Sequence, residues 1–395
     1  MGLLSVAYKD DLNMGPSMLI DKSAIQGFSM DEIKVLHRHY DVVICPTLIH
    51  EFQGDLAKTA DQPELDKDRV AYLAEKAMGF GARTIDRYEK LAYANLIGFN
   101  FPLGPQIPRF DARQVKGKDG SNGVLLKETP EEVTLRRWSQ RQFAEDERTS
   151  GESYRRKLAE VDLEKLRAAL RLNDSDDWKA NSLDEIAAAI DRVDGPFDID
   201  GWNSIEMTMS RFGFSGQTQD QVKQRYGNSG RPRFKDFAPY AHYCNRLSLI
   251  FLLGLKCGLV PTSKRAKAVI DYQYLFFAPF CNVFCSGDKF HAALATTVLR
   301  ADQRYIDATI LKSDLGILAD CHAKMNEVER HWYMVNFGDR PPPIQNSITN
   351  DVWKQFARPW EMGSGNRVLD MTEDEKAKIL KELRESEPID EGWEK

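Results

Sequence analysis

The stretch SMLIDKSAIQGFSMDEIKVLHRHYDVVICPTLIHEFQGDL (residues 17–56) decides how the chain folds. It begins with a short apolar run, Met18-Leu19-Ile20, that ends on an acid, Asp21. A helical segment follows. Ser29 and Glu32 have capping-box spacing, in which each side chain bonds the other residue's backbone amide. Val42-Val43-Ile44-Cys45 is apolar throughout, as a strand covered on both faces should be. Pro46 and Thr47 then start the helix TLIHEFQGDLA. Strand, helix, strand, helix predicts a parallel sheet joined by crossover helices.

The pattern stops and later resumes. Residues 61–230 are rich in Arg, Glu, Lys and Ala, with helical periodicity at 66–78, 131–145, 153–171 and 182–193. Within them DARQVKGKDGSNG (111–123), full of Gly and charge, reads as a flexible loop. Then FKDFAPYAHYCNRLSLIFLLGLKCG (234–258) reads as one long buried helix stopped by Gly258. PTSKRAKAVIDYQYLFFAPF starts another helix, CNVFCS is a strand, and DKFHAALATTVL is a helix. The chain divides into a first α/β part (1–60), a helical insertion or second domain (61–230), a second α/β part (231–337) and a partly helical C-terminal tail (338–395).

A chain of 395 residues can bury a large core and is long for one compact unit. A net charge of -6 excludes general attraction to nucleic acid, so any basic surface must be local. Several of the six cysteines sit in apolar runs, which fits free thiols in a reducing compartment. Cys281 and Cys285 lack zinc-site spacing. The most apolar stretch, Leu247–Leu255, lies between Arg246 and Lys256 and is far shorter than the about 20 residues of a membrane span. With no charged-then-apolar leader, the expectation is a cytoplasmic protein without membrane contact.

Four acids occupy matched places. Asp21 ends the first strand, Glu51 lies one turn into the helix after the second, Asp271 lies on the helix before the later strand, and Asp288 ends that strand. Ligands of open α/β sheets collect outside the carboxyl ends of the strands. Leu48, Ile49, Phe52 and Leu56 share an arc of roughly 100°, which leaves Glu51 and Asp55 side by side on its rim. Asp55 is either an additional ligand or, the favoured reading, a rim residue. Converging carboxylates suit Mg²⁺ or Mn²⁺, hard cations that take oxygen ligands. Asp21 or Asp288 alone equally fits a helix cap, and the four together point to a site.

On these residues the sequence resembles the PIN-like (PilT N-terminus) nuclease superfamily. The resemblance lies in LIDKSAIQGF, VVICPTLIHEFQGDL and VIDYQYLFFAPFCNVFCSGDKFHAAL, about a fifth to a quarter of the chain. It implies a Rossmann-like α/β/α sandwich with a mainly parallel sheet, split here by the helical insertion. It further implies Mg²⁺ or Mn²⁺ held by Asp21, Glu51, Asp271 and Asp288, with Ser286 in a hydroxyl place before the last acid. The implied activity is hydrolysis of phosphodiester bonds in RNA, less often DNA, in a toxin or defence setting by analogy. The long insertion departs from the compact family pattern and leaves substrate and regulation open, an inhibitor or regulatory protein included.

Other readings stay beside this one. A PIN-like fold without catalysis would be a binding or scaffold protein, and a small-phosphoester hydrolase is a third case. A DxDxT phosphatase is excluded, because Lys22 and Ser23 follow Asp21. Lys22 and Lys289, each beside an acid, are candidates for phosphate contact, and Ser286 is a candidate for substrate contact. His291 is a candidate to face the cleft, whereas His50 points about 100° away from Glu51. RRWSQRQ (136–142), YRRK (154–157), RPRFK (231–235) and SKRAK (263–267) are the basic clusters. RPRFK and SKRAK flank the long helix leading to Asp271 and are candidates to line a track toward the site, and Arg231, Arg233 and Lys235, interleaved with Phe234, suit single-stranded RNA. Interspersed acids make 136–157 read as a solvated helix face.

Overall fold

The computed structural model describes residues 15–79, 82–110, 128–172, 179–193, 201–262 and 265–357, with the backbone of 5–8, 113–116 and 122–126. In chain order the strands are β1 (Ser5–Tyr8), β2 (Ser17–Ile20), β3 (Asp41–Ile44), β4 (Arg83–Thr84), β5 (Arg113–Lys116), β6 (Asn122–Leu126), β7 (Val283–Ser286) and β8 (Arg304–Asp307). Five of them form an all-parallel sheet in the order β4-β3-β2-β7-β8. Central β2 sets Leu19 beside Val43 on one side and beside Phe284 on the other. Met18, Leu19, Ile20, Val43, Ile44, Phe284 and Cys285 are all buried, which is why both strands read as unbroken apolar runs. All six cysteines are free.

Helices α1 (Lys22–Gly27) and α2 (Met30–His39) link β2 to β3, and α3 (Pro46–Asp55) and α4 (Pro63–Met78) link β3 to β4. The Ser29–Glu32 capping box opens α2 as expected. The sheet therefore continues past residue 60 into the segment assigned to the insertion, because β4 pairs with the end of β3. Two residues are too few to show as a strand pattern.

The remaining insertion carries α5 (Tyr88–Ile97), α6 (Pro130–Ser139), α7 (Glu147–Glu160), α8 (Leu163–Leu172), α9 (Leu183–Val193), α10 (Trp202–Arg211) and α11 (Gly216–Asn228). Leu135, Trp138, Ile186, Ile205 and Val222 join the same hydrophobic core as the sheet strands, so these helices are folded onto the sheet. Two expectations fail here. Periodicity at 153–171 is broken between α7 and α8 at Val161 and Asp162. The expected loop at 111–123 contains β5 and the start of β6, which form an antiparallel three-stranded sheet with β1. Cross-strand pairing there outweighs Gly and charge content.

The return to the sheet runs through α12 (Phe234–Phe237), α13 (Pro239–Cys257), α14 (Arg265–Tyr274) and a 3-10 turn (Leu275–Phe280). The expected single helix over 234–258 breaks at Ala238, since a residue before proline is driven from helical torsions. After β7 come α15 (Lys289–Val298), β8, α16 (Ala308–Lys324), α17 (Glu327–Phe337) and α18 (Ile348–Phe356). The beginning of the expected tail is firmly attached. Asp314 on α16 accepts bonds from the Thr349 amide (2.9 Å) and hydroxyl (2.5 Å), and Trp353 Nε1–H donates to the His39 carbonyl (2.8 Å). The acidic stretch at 372–395 lies outside the described residues.

A buried relay joins α2, α16 and the chain after α17. Arg38 donates to His322 Nδ1 (3.2 Å), so His322 carries its proton on Nε2 and donates it to His39 Nε2 (3.0 Å). His39 Nδ1–H then donates to the Asp339 carbonyl (2.7 Å). Only one proton fits between the two Nε2 atoms. Burial, with Arg38 adding its charge, lowers His39 to about 3 and His322 to about 4. Folded values below the ordinary 6.5 give stability that is present above that pH and lost as pH falls through the folded values. Urea midpoints should therefore fall from pH 7 to pH 4.5, and fall less in His322→Gln. Parallel curves for the two proteins would refute the relay.

Candidate active site

Three parallel strands lead into an acid that caps the next helix. Asp21 accepts from the Ala24 amide (2.9 Å), Asp288 from the Phe290 amide (2.8 Å) and Asp307 from the Thr309 amide (2.8 Å). Parallel register sets Ile20 beside Cys285 and Ser286 beside Asp307, so the three carboxylates share one sheet edge. Glu51 enters from α3 and Asp271 from α14.

Asp21 is buried and its carboxylate is saturated. It accepts from Ser23 Oγ (2.9 and 2.8 Å) and Ser286 Oγ (2.7 Å) besides the Ala24 amide. His291 lies fully buried behind it. Its Nε2 is 2.7 Å from the Asp271 carbonyl, which demands an N–H there. Its Nδ1 is 2.7 Å from Ser286 Oγ and 3.3 Å from Asp21 Oδ2. With the Ser286 proton directed to Asp21, Nδ1 must donate as well. Both ring nitrogens then carry protons, and the ring is an imidazolium between Asp21 and Asp271, whose Oδ1 is 3.9 Å from Nε2. Burial opposes that charge, yet Asp21 and Asp271 outweigh it and raise the His291 pKa.

The other acids show the same coupling. Burial pushes the Glu51 carboxyl up; Lys22 and the Tyr274 hydroxyl that bonds it hold it back, while Asp21 and Asp55 push it further. Burial raises Asp271 to about 7, with His291 and Lys267 opposing and Asp288 and Glu51 adding. Burial also acts on Asp288, but bonds from Lys267 and the Phe290 amide bring it below the usual range. Lys22 Nζ sits 2.8 Å from Asp55 Oδ2.

The four acids named from sequence thus reach one region and feel one another's charge. Among the described residues no three His, Cys, Asp or Glu side chains are grouped to hold one metal ion. The donor chemistry is right for Mg²⁺ or Mn²⁺, and Lys22, Lys267, Tyr274 and His291 pair with or bond Asp55, Asp288, Glu51 and Asp21.

Several role assignments change. Asp55, expected on a solvated rim, is buried and paired with Lys22, so Lys22 is engaged inside the protein rather than held out for phosphate. Ser286, expected to contact substrate, is fully buried and serves Asp21, His291 and the Asp288 amide (3.0 Å). Lys289 is exposed at the edge, as a contact residue should be. Arg231, Arg233 and Lys235 do not line a track to the acids, because they precede the far end of α13, whose 19 residues span about 28 Å. At that end Tyr240 packs on Phe101 and Phe280, ahead of the start of β7, and Arg233 pairs with Asp236 (2.7 Å). The opposite end of α13 meets Ala268 and Phe290, next to Asp288.

Asp307 and Tyr274 were not singled out from sequence, whereas Lys267 belongs to the basic cluster SKRAK (263–267). Asp307 had a signal: RYID repeats the strand-then-acid form of MLID. Tyr274 had none, since its partner Glu51 is distant in sequence.

His291→Leu should leave Asp21 and Asp271 buried without their cation and cost about 3–5 kcal/mol in urea denaturation; a loss under 1 kcal/mol would mean the ring is not charged. Comparison with family models, curated proteins and solved structures gives no significant match for the chain.

Proposed function

We propose that the chain is a PIN-like hydrolase of phosphodiester bonds, a nuclease that works with Mg²⁺ or Mn²⁺ and takes RNA as its substrate. One observation carries this reading. Asp21, Glu51, Asp271 and Asp288 come from separate segments on the carboxyl side of a parallel sheet, with Glu51 and Asp271 at raised pKa and coupled in charge to the other acids. Structure alone gives little reason for this, because buried charge clusters rarely add stability over apolar packing. Strained ionisation at a sheet's ligand-binding edge is instead a mark of chemistry.

A second reading has its own support. Each acid is already neutralised or bonded within the protein, which favours a PIN-like binding or scaffold protein without catalysis. Among the described residues no helix is long and apolar enough to cross a membrane, and the partner in either reading is nucleic acid.

Labelled RNA incubated with Mg²⁺ or Mn²⁺ should be cleaved by the wild type and spared in EDTA. Asp288→Asn should lower the rate about 100-fold, as expected when a reacting centre loses its geometry. Equal cleavage in all conditions would refute the assignment of these acids. Calorimetry with Mn²⁺ separates the two readings: heat of binding supports the nuclease, and its absence supports the scaffold.

A further inference from the structure

The insertion touches the acidic edge through α7. This helix crosses α3 where both are small: a Cβ on Gly54 would come within 2.9 Å of the Tyr154 ring, and one on Gly151 would strike the Gln53 carbonyl. Side-chain-free contact lets the helices approach closely and sets residues 154–157 against the part of α3 that bears Glu51. Tyr154 lies beside His50 (ring centroids 6.0 Å apart), and Glu51 and Asp55 raise the Tyr154 pKa further after burial has done so. α7 also contacts α14, the helix that carries Asp271.

Cations elsewhere along this part of the chain are used internally. Arg136 pairs with Glu128 (2.5 Å), Arg137 with Glu147 (2.5 Å), Arg141 with Asp68 (3.1 Å) and Arg148 with Glu152 (3.5 Å). Arg155, Arg156 and Lys157 are exposed, and so is Lys289, and among the described residues none of them has an ion-pair partner. A chain of net charge -6 therefore leaves a run of unpaired cations beside its acidic edge. His50 and Tyr154, in ring contact with each other, are partly exposed next to that run.

We infer that Arg155, Arg156 and Lys157 of α7, with Lys289 and the rings of His50 and Tyr154, form a binding surface for a single-stranded polynucleotide. The inference rests on the nuclease reading for its purpose and on α7 for its geometry. Unpaired cations take the phosphates, and the rings offer π-faces to bases. The partner is RNA or single-stranded DNA, recognised through the backbone chemistry they share.

The test is fluorescence anisotropy of 20-nucleotide RNA and DNA strands in EDTA, so that cleavage plays no part. Gln substitutions keep the aliphatic stems of the side chains, and that of Arg155 lies against Gly54 of α3. Arg155→Gln/Arg156→Gln/Lys157→Gln should bind at least tenfold more weakly than wild type, with the slope of log K against log salt flatter by about 2 for three lost phosphate contacts. Arg231→Gln/Arg233→Gln/Lys235→Gln should bind as wild type does. Matching urea midpoints show that both variants fold. Wild type that binds neither strand, or an α7 variant that binds as wild type, overturns the inference. Binding that depends on α7 without any Mg²⁺-supported cleavage sinks the nuclease reading and leaves this surface standing.

Discussion

Everything at the acidic edge depends on the pairing of β2 with β7. Their residues are separated by more than 260 positions in sequence, yet Met18, Leu19 and Ile20 lie beside Val283, Phe284 and Cys285 in parallel register. The ladder continues one step further, where the Asp21 amide donates to the Cys285 carbonyl (3.2 Å). That step aims Asp21 at Ser286 and His291. A register slip of one residue would turn each strand's side chains to the other face and separate these groups.

Close approach of buried acids sets the second constraint. Two or more carboxylates in a low-dielectric interior repel, and the repulsion must be offset locally. The protein offsets it with Lys22 at Asp55, Lys267 at Asp288 and the His291 imidazolium between Asp21 and Asp271. The cations differ in exposure. His291 is sealed in, whereas the Lys267 side chain is half exposed, so Lys267 is the partner most easily displaced by an incoming cation or phosphate.

The sheet was legible in sequence where its strands are covered on both faces. MLI, VVIC and VFC are unbroken apolar runs because β2, β3 and β7 lie inside the sheet. Edge strand β4 was not legible, since two residues carry no periodicity. Among the site residues, the acids at strand ends and on helices were legible by their misfit with apolar surroundings. Asp55 was misread because α7 and Lys22, which bury it, come from other elements. The charge of His291 was illegible for the same reason: its state follows from Asp21, Ser286 and Asp271, which only folding brings together.

Sequence by itself determined the alternation of strand and helix at 17–56, the capping of α2, the return of a strand at 283–286 and the candidate acids. These follow from local periodicity, cap chemistry and the cost of placing a carboxylate in an apolar segment. Tertiary structure alone decided which charges pair. It tied Lys22 to Asp55 and Lys267 to Asp288, set α7 across α3, and left Arg155, Arg156 and Lys157 unpaired beside the acids. Ion pairing depends on distances of a few ångströms between segments far apart in the chain, and no local pattern encodes those distances.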